Sequence, residues 1–305
     1  MNRRIFFRNS IGFLSLAALP NNLFSPPENE KNSLKLIREL RQFGEGELGL
    51  NLNRKFYKRW LKQEQQLTYL YVSRADSILL PQDTPSFRYF GTDTASAAIK
   101  AKEVTDEGFD TMLYKTSGTS ATLLTHHLLN YPPEAIMFIV MHEMSHVHRQ
   151  RMKIKIPYQA EESFGEFLGN YATIEFAKKY HPEFIPALLK QSQIQENIYT
   201  LLSEAEIQLQ GLDNEIKLKR YKEVQKALNK LLEQANPFQK DRYQYPVNHA
   251  YILRNRFYYN WYPNFKKLYL SGNSMEEMIN IYSNLPESES EASTYLKLKV
   301  KNLKP

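Results

Sequence analysis

The chain has 305 residues, a net charge of +7 and no cysteine. Its length suits one large domain with a sizeable core, and 42% hydrophobic with 24% charged residues is the balance of a soluble globular protein. The lack of cysteine excludes disulfides, thiolate metal sites and cysteine nucleophiles. Any metal must therefore be held by histidine and carboxylate side chains. The net charge alone indicates only a mild attraction to anionic surfaces.

Residues 1–19 predict an export signal. Arg3 and Arg4 precede a short apolar stretch, Ile11 to Leu19, in a pattern similar to a twin-arginine signal. The stretch is too short to span a bilayer as a helix. We therefore expect an exported protein in a periplasmic or other extracytoplasmic location, with an uncleaved anchor or an amphipathic helix as the alternatives.

The first half of the chain predicts a mixture of helices and strands. Residues 20–31 are rich in Pro and Asn and predict a linker. A helix over 32–42 would place Leu34, Ile37 and Leu40 on one side. The following predicted elements are a helix over 54–65, strands over 68–72 and 77–80, a helix over 95–105 and a strand over 109–114.

The second half predicts helices only. Pro132-Pro133-Glu134 suits a first helical turn, and the helix that follows is apolar on all sides over 136–141, so we expect it to be buried. Later segments are a helix over 160–180, a helical hairpin over 190–235 broken near Gly211, an aromatic stretch over 245–270 and a charged, fraying tail over 287–305. The sequence therefore predicts a mostly helical α+β fold. It consists of a single domain over 32–286, with a sheet-containing part at 45–130 and a helical part at 131–286.

The motif His142-Glu143-Met144-Ser145-His146 carries the chemistry. Histidines four residues apart on a helix project from one face and can bind one tetrahedral Zn²⁺. Glu143 lies near enough to serve as general base and then general acid on a water at the metal. The motif also occurs by chance in many proteins, but on a buried helix two histidines and a glutamate would carry an uncompensated desolvation cost. A zinc peptidase is therefore the favoured interpretation.

A catalytic zinc needs a third protein ligand and one open position. Glu162 lies on the next predicted helix, at a spacing typical of the gluzincin class of zinc peptidases. Glu166 is one turn further on the same face, where it could orient a ligand histidine. Glu161 is the competing ligand, but helix geometry favours Glu162, and we expect Glu161 to lie on a solvated face.

Short motifs flank the zinc segment on both sides. They are Glu47-Leu48-Gly49-Leu50, Phe87-Arg88-Tyr89-Phe90-Gly91, Glu107-Gly108-Phe109-Asp110, Glu162-Ser163-Phe164-Gly165-Glu166-Phe167-Leu168-Gly169, Asn248-His249-Ala250, Tyr258 and Pro263-Asn264-Phe265. Together with His142 to His146, these segments resemble those of a bacterial family of zinc aminopeptidases, whose members are usually exported or lipid-anchored. The likeness covers residues 45–285 and is strongest over 107–170.

The resemblance implies a zincin-like (gluzincin) fold and a peptide substrate. Zinc would bind the two motif histidines and Glu162, with water in the fourth place. Tyr258 or His249 would stabilise the oxyanion, unless this aromatic stretch is only core. The strand over 109–114 would hold the substrate by strand addition at the sheet edge. The chain departs from the family in lacking a lipobox cysteine, in keeping the Ser-Thr-Leu-Gly loop only loosely at 117–123 and in having His249 within Asn-Asn-Ala.

Two other functions compete with a peptidase. A non-catalytic exported helical protein could keep a structural zinc, which would have four protein ligands. The lysines over 215–230 could bind nucleic acid, but Glu215 and Glu223 interleave with them, which favours a solvated helix face. We therefore expect Zn²⁺ as cofactor, a peptide as substrate, no nucleic-acid partner and no stable membrane insertion of the mature protein.

Overall fold

The structure is a computed structural model that describes residues 28–52, 56–57, 59–60, 67–74, 86–116, 123–210 and 212–302. The predicted export signal, most of the predicted linker and the strand predicted at 77–80 lie outside the described residues. Among the described helices, none combines the length and the apolar composition needed to cross a bilayer.

The strands form two small groups. β1 (Arg59–Trp60) pairs in parallel with β5 (Leu123–Leu124). β2 (Leu67–Arg74), β3 (Ser86–Gly91) and β4 (Phe109–Thr116) form an antiparallel sheet in the order β3-β2-β4. The strands predicted at 68–72 and 109–114 are thus confirmed, whereas the sequence analysis did not predict β3.

Helices make up most of the described chain. In order they are α1 (Glu28–Gly46), α2 (Thr94–Asp106), α3 (His126–Leu129), α4 (Pro133–Met152), α5 (Tyr158–Tyr180), α6 (Ile185–Leu209), α7 (Asn214–Glu233), α8 (Pro237–Tyr243), α9 (His249–Tyr259), α10 (Tyr262–Leu270), α11 (Met275–Ser283) and α12 (Glu289–Lys301), with a 3₁₀ turn at Pro182–Phe184. The helices predicted over 95–105 and 160–180 and the hairpin over 190–235 correspond to α2, α5 and α6–α7.

The two faces of the antiparallel sheet have different neighbours. Alternation along β2 places Thr68 and Leu70 on a buried face, where the Thr68 hydroxyl bonds that of Thr94 on α2 at 3.1 Å. Tyr71 and Tyr114 lie on the opposite face, where Arg254 of α9 stacks on the Tyr114 ring. The sheet is therefore held between α2 and α9.

The buried centre of the fold is the antiparallel pair α4 and α5. Pro133 and Glu134 begin α4 as expected, and every residue from Ala135 to Met141 is buried. The two helices approach closely at Gly169, where an added Cβ would lie 2.9 Å from the ring of Phe138. The same hydrophobic core includes side chains from α1, α6, α9, α10 and α11.

Three predicted segments differ from the structure. Within the predicted helix over 54–65, Arg59–Trp60 is a strand, because backbone pairing with residues distant in sequence overrides local helical spacing. The predicted linker ends early, since α1 begins at Glu28. The expected fraying tail is the capped helix α12, which buries Ala292 and Leu296 at one-turn spacing.

Candidate metal centre

Three predicted ligands meet between α4 and α5. Nε2 of His142 and Nε2 of His146 are 3.1 Å apart. Glu162 Oε2 lies 3.5 Å from His142 Nε2, and Glu162 Oε1 lies 3.8 Å from His146 Nε2. A tetrahedral ion with bonds of about 2.0–2.1 Å separates its ligands by about 3.3 Å. The spacing and the donor types therefore fit Zn²⁺. In the part of the chain that the structure describes, no fourth His, Asp or Glu joins this group.

Helix geometry explains why these side chains converge. The two histidines are one turn apart on α4 and project from one face toward α5. Gly165 of α5 lies directly against the His142 ring, since an added Cβ would be 2.9 Å from its Nδ1 and Cε1 atoms. The glycine thus permits the close approach that brings Glu162 to the histidines.

Each of these two histidines also contacts a second carboxylate. His142 Nδ1 lies 3.0 Å from Glu166 Oε1, and His146 Nδ1 lies 2.8 Å from Glu161 Oε1. A carboxylate at Nδ1 favours the tautomer whose Nε2 lone pair is free for a metal. The predicted place of Glu166 beside a ligand histidine matches the structure.

The solvated position expected for Glu161 is wrong. Its side chain is buried and pairs with Arg149 Nε at 2.6 Å as well as with His146. Because every residue of α5 from Gln159 to Asn170 is buried, the helix has no solvated face at Glu161. Arg149, one turn after His146 on α4, could have indicated this position in the sequence, because a cation on that helix face favours a nearby carboxylate.

Glu166 anchors a buried polar network behind His142. Its oxygens accept a hydrogen bond of 2.7 Å from Arg242 Nη2 and another from the Tyr199 hydroxyl. Burial acts to raise the pKa of Glu166, but Arg242 and His142 outweigh burial and lower it. Glu166 is therefore ionised when it contacts the ligand ring.

The ligand groups are electrostatically coupled. Burial acts to lower the pKa of His142, but Glu162 and Glu166 raise it from 6.5 to about 10. Burial acts to raise the pKa of Glu162, whereas His146 and His142 lower it to about 2. A site that concentrates negative charge around two histidines favours a cation in their midst.

Glu143 is placed differently from the other carboxylates. It is half-buried, and its side chain has no hydrogen-bond partner among the described residues. Burial raises its pKa, with His146 and His142 acting in the opposite direction. A carboxylate with a raised pKa and no partner beside the metal ligands is available to exchange a proton with a water or a substrate.

The two predicted oxyanion partners are far apart. The ring centroid of Tyr258 is 6.4 Å from that of His142, and its hydroxyl has no hydrogen-bond partner within the described residues. His249 lies in the first turn of α9, where its Nδ1 contacts the Arg74 carbonyl at 2.6 Å and its N–H donates to Asp110. Tyr258 lies nine positions after His249 on the helix, about 13.5 Å along the axis. The structure thus brings Tyr258, and not His249, to the cluster.

The outer edge of β4 is partly occupied. Asn248 Nδ2 donates to the Thr111 carbonyl at 2.8 Å, and the Tyr245 hydroxyl contacts the N–H and the carbonyl of Lys115. β4 is an edge strand as expected, but side chains before and at the start of α9 use some of the backbone groups that an added substrate strand would need.

Comparison with known proteins identifies the family of the chain. Residues 24–294 match a family described as "Putative aminopeptidase". The chain belongs to this aminopeptidase family. The matched region contains His142, His146 and Glu162 as well as Glu143 and Tyr258. No curated protein and no solved structure matches the chain.

Proposed function

We propose that the protein is a zinc-dependent aminopeptidase of the gluzincin type with a zincin-like arrangement of its motif helix, ligand helix and small sheet. The observation that carries the proposal is the cluster of His142, His146 and Glu162, with ligand atoms all within 4.8 Å of one another. Carboxylates at both Nδ1 atoms support a metal-binding role, since they fix the ring orientation that a metal requires. The choice of an aminopeptidase rests on the family.

In this proposal the residues of the site divide the work of hydrolysis. Bound zinc would supply a lowered pKa for a water in its open position and polarisation of the scissile carbonyl. Glu143 accepts the proton of the attacking water and then donates it to the leaving amine. Glu166 and Glu161 keep the ligand rings oriented throughout.

Tyr258 is the proposed oxyanion partner. Its unpartnered hydroxyl can donate to the negative oxygen that develops on the scissile carbonyl. Burial raises the pKa of Tyr258 well above its usual range, although Arg254 and Arg242 oppose burial. The phenol therefore keeps its proton at neutral pH and remains a donor.

A structural zinc site is the second candidate. It would require a fourth protein ligand and no use for a free carboxylate. The described cluster has three ligands, and Glu143 has no hydrogen-bond partner among the described residues, which favours catalysis.

The test replaces Glu143 by Gln and measures zinc content together with release of the first residue from a peptide with a free N terminus. We expect a loss of about 10²–10⁴-fold in turnover with zinc retained. Glu134→Gln, a matched change on the first turn of the same helix, should leave both unchanged. Full turnover by Glu143→Gln would contradict the mechanism, and equal cleavage of the N-acetylated peptide would contradict the choice of an aminopeptidase.

We also propose that the protein acts outside the cytoplasm. Support comes from Arg3 and Arg4 ahead of the apolar stretch 11–19.

A further inference from the structure

Arg254 on α9 is a buried cation without a carboxylate partner among the described residues. Its side chain is 1% exposed, and it stacks on the rings of Tyr114 and Tyr258 with Cζ 4.2 and 4.7 Å from their centroids. The other fully buried arginines differ, since Arg242 pairs with Glu166 and Arg256 with Glu206. A buried charge is normally paired, so the missing partner of Arg254 requires an explanation.

The open donors of Arg254 lie on one edge of its guanidinium. Nη1 donates to Asn255 Oδ1 at 2.9 Å, Nε is buried without a partner, and Nη2 has no hydrogen bond to any described residue. Nε and Nη2 carry two parallel N–H groups, the arrangement that binds a carboxylate through both of its oxygens.

Arg254 also lies near the cluster of His142, His146 and Glu162. It lies four residues before Tyr258 on α9, so both side chains project from one helix face. The Tyr258 ring centroid is 4.7 Å from Arg254 Cζ and 6.4 Å from the centroid of the His142 ring. An extended peptide spans at most about 3.3–3.6 Å per residue, so a carboxylate one or two residues from the scissile bond can reach Arg254.

We propose that Arg254 binds a carboxylate of the substrate on the leaving-group side of the scissile bond. This inference rests on the proposed aminopeptidase function. A guanidinium would repel the substrate's N-terminal ammonium group, which places the anion on the other side of the bond. The substrate class is therefore a short peptide, cleaved after its first residue, whose own C-terminal carboxylate or acidic side chain pairs with Arg254.

The test compares kcat/KM of the zinc-loaded protein for Leu-Ala, Leu-Ala-amide and Leu-Glu-amide. We expect Leu-Ala to exceed Leu-Ala-amide about 100-fold, because paired charge-assisted hydrogen bonds are lost with the carboxylate. Recovery of the rate with Leu-Glu-amide identifies an acidic side chain as the recognised group, and no recovery identifies the C terminus. Similar kcat/KM values for all three peptides would overturn the proposal.

Substitutions assign the preference to the residue. Arg254→Met should bring the ratio of Leu-Ala to Leu-Ala-amide close to one, and Arg254→Lys should give an intermediate ratio because Lys lacks the paired donors. Arg220→Met, an equivalent change on the surface of α7, should keep the wild-type ratio. If Arg254→Met does not fold, inhibition of the wild type by alanine and by alaninamide decides, since only the free carboxylate should bind well.

The same experiment separates this inference from the function beneath it. If the zinc-loaded wild type cleaves none of the peptides, the aminopeptidase proposal fails and the carboxylate site fails with it. If it cleaves all three peptides equally, the peptidase stands and only the role of Arg254 is refuted.

Discussion

Replacing Glu166 by Gln should lower both the stability of the fold and the affinity for zinc, because this side chain contacts both Arg242 and His142. Glu166 is fully buried, and its Oε1 lies 3.0 Å from His142 Nδ1. The same oxygen accepts a hydrogen bond of 2.7 Å from Arg242, whose side chain is 6% exposed. The amide keeps the shape and one acceptor oxygen but removes the charge. Arg242 is then left as a buried cation without a counterion, and His142 loses the partner that fixes its tautomer.

The expected magnitudes differ for Glu166 and Glu161. Removing one partner of a buried pair costs about 3–5 kcal/mol, so we expect about 3 kcal/mol for Glu166→Gln, which retains a neutral hydrogen bond. Glu161→Gln should cost about 1 kcal/mol or less, because the side chain of Arg149 is 23% exposed and water can solvate it. Each variant should weaken zinc binding about 10–100-fold.

Urea unfolding of the metal-free protein measures the stability change, and competition with a chelating dye measures zinc affinity. Adding Arg242→Met to Glu166→Gln should restore most of the lost stability, because the orphaned cation is gone, without restoring zinc affinity. If Glu166→Gln is no more destabilising than Glu161→Gln, Arg242 does not depend on Glu166 as a buried counterion. If zinc affinity is unchanged in both single variants, the two carboxylates do not position the histidines for a metal.

Three further predictions concern the site and the N-terminal segment. Tyr258→Phe should lower kcat about 10²–10³-fold with zinc retained; unchanged kcat would remove Tyr258 from the mechanism. Zinc affinity should rise with pH below about 10. Burial lowers the pKa of His142, but its two carboxylate neighbours outweigh burial and raise the pKa to about 10, and the ring proton must leave before a metal binds. A zinc affinity that does not change with pH would show that His142 is not a ligand. Arg3→Lys with Arg4→Lys should leave the protein in the cytoplasm, as cell fractionation would show; normal export would exclude the twin-arginine route.

The helices that carry His142, His146 and Glu162 were the most predictable from sequence. The apolar run before His142, the proline start of α4 and the histidine spacing act within one helix, where periodicity is informative. Glu162 and Glu166 followed from the same spacing on α5. β1 and α12 were not predictable in this way, because a distant strand and a distant core surface determine them.

The contacts around His142, His146 and Glu162 could be assigned only from the three-dimensional structure. Glu161 could not be assigned to His146 from spacing on α5 alone, since its partner lies on the other helix. Arg242 and Arg254 are basic residues in aromatic segments, and nothing in the sequence indicates that one is paired with a carboxylate and the other is not. His249 and Tyr258 looked equivalent until α9 placed them more than two turns apart.

The proposed function depends on the cluster of His142, His146 and Glu162 holding the zinc at which peptides are cleaved. Titration of the chelator-stripped protein with Zn²⁺, while release of the N-terminal residue is followed, tests this dependence. We expect no turnover without metal, a linear rise with added zinc and saturation at one ion per chain. Turnover that persists in the stripped protein, or one tightly bound zinc with no peptide cleavage, would rule out the proposed function.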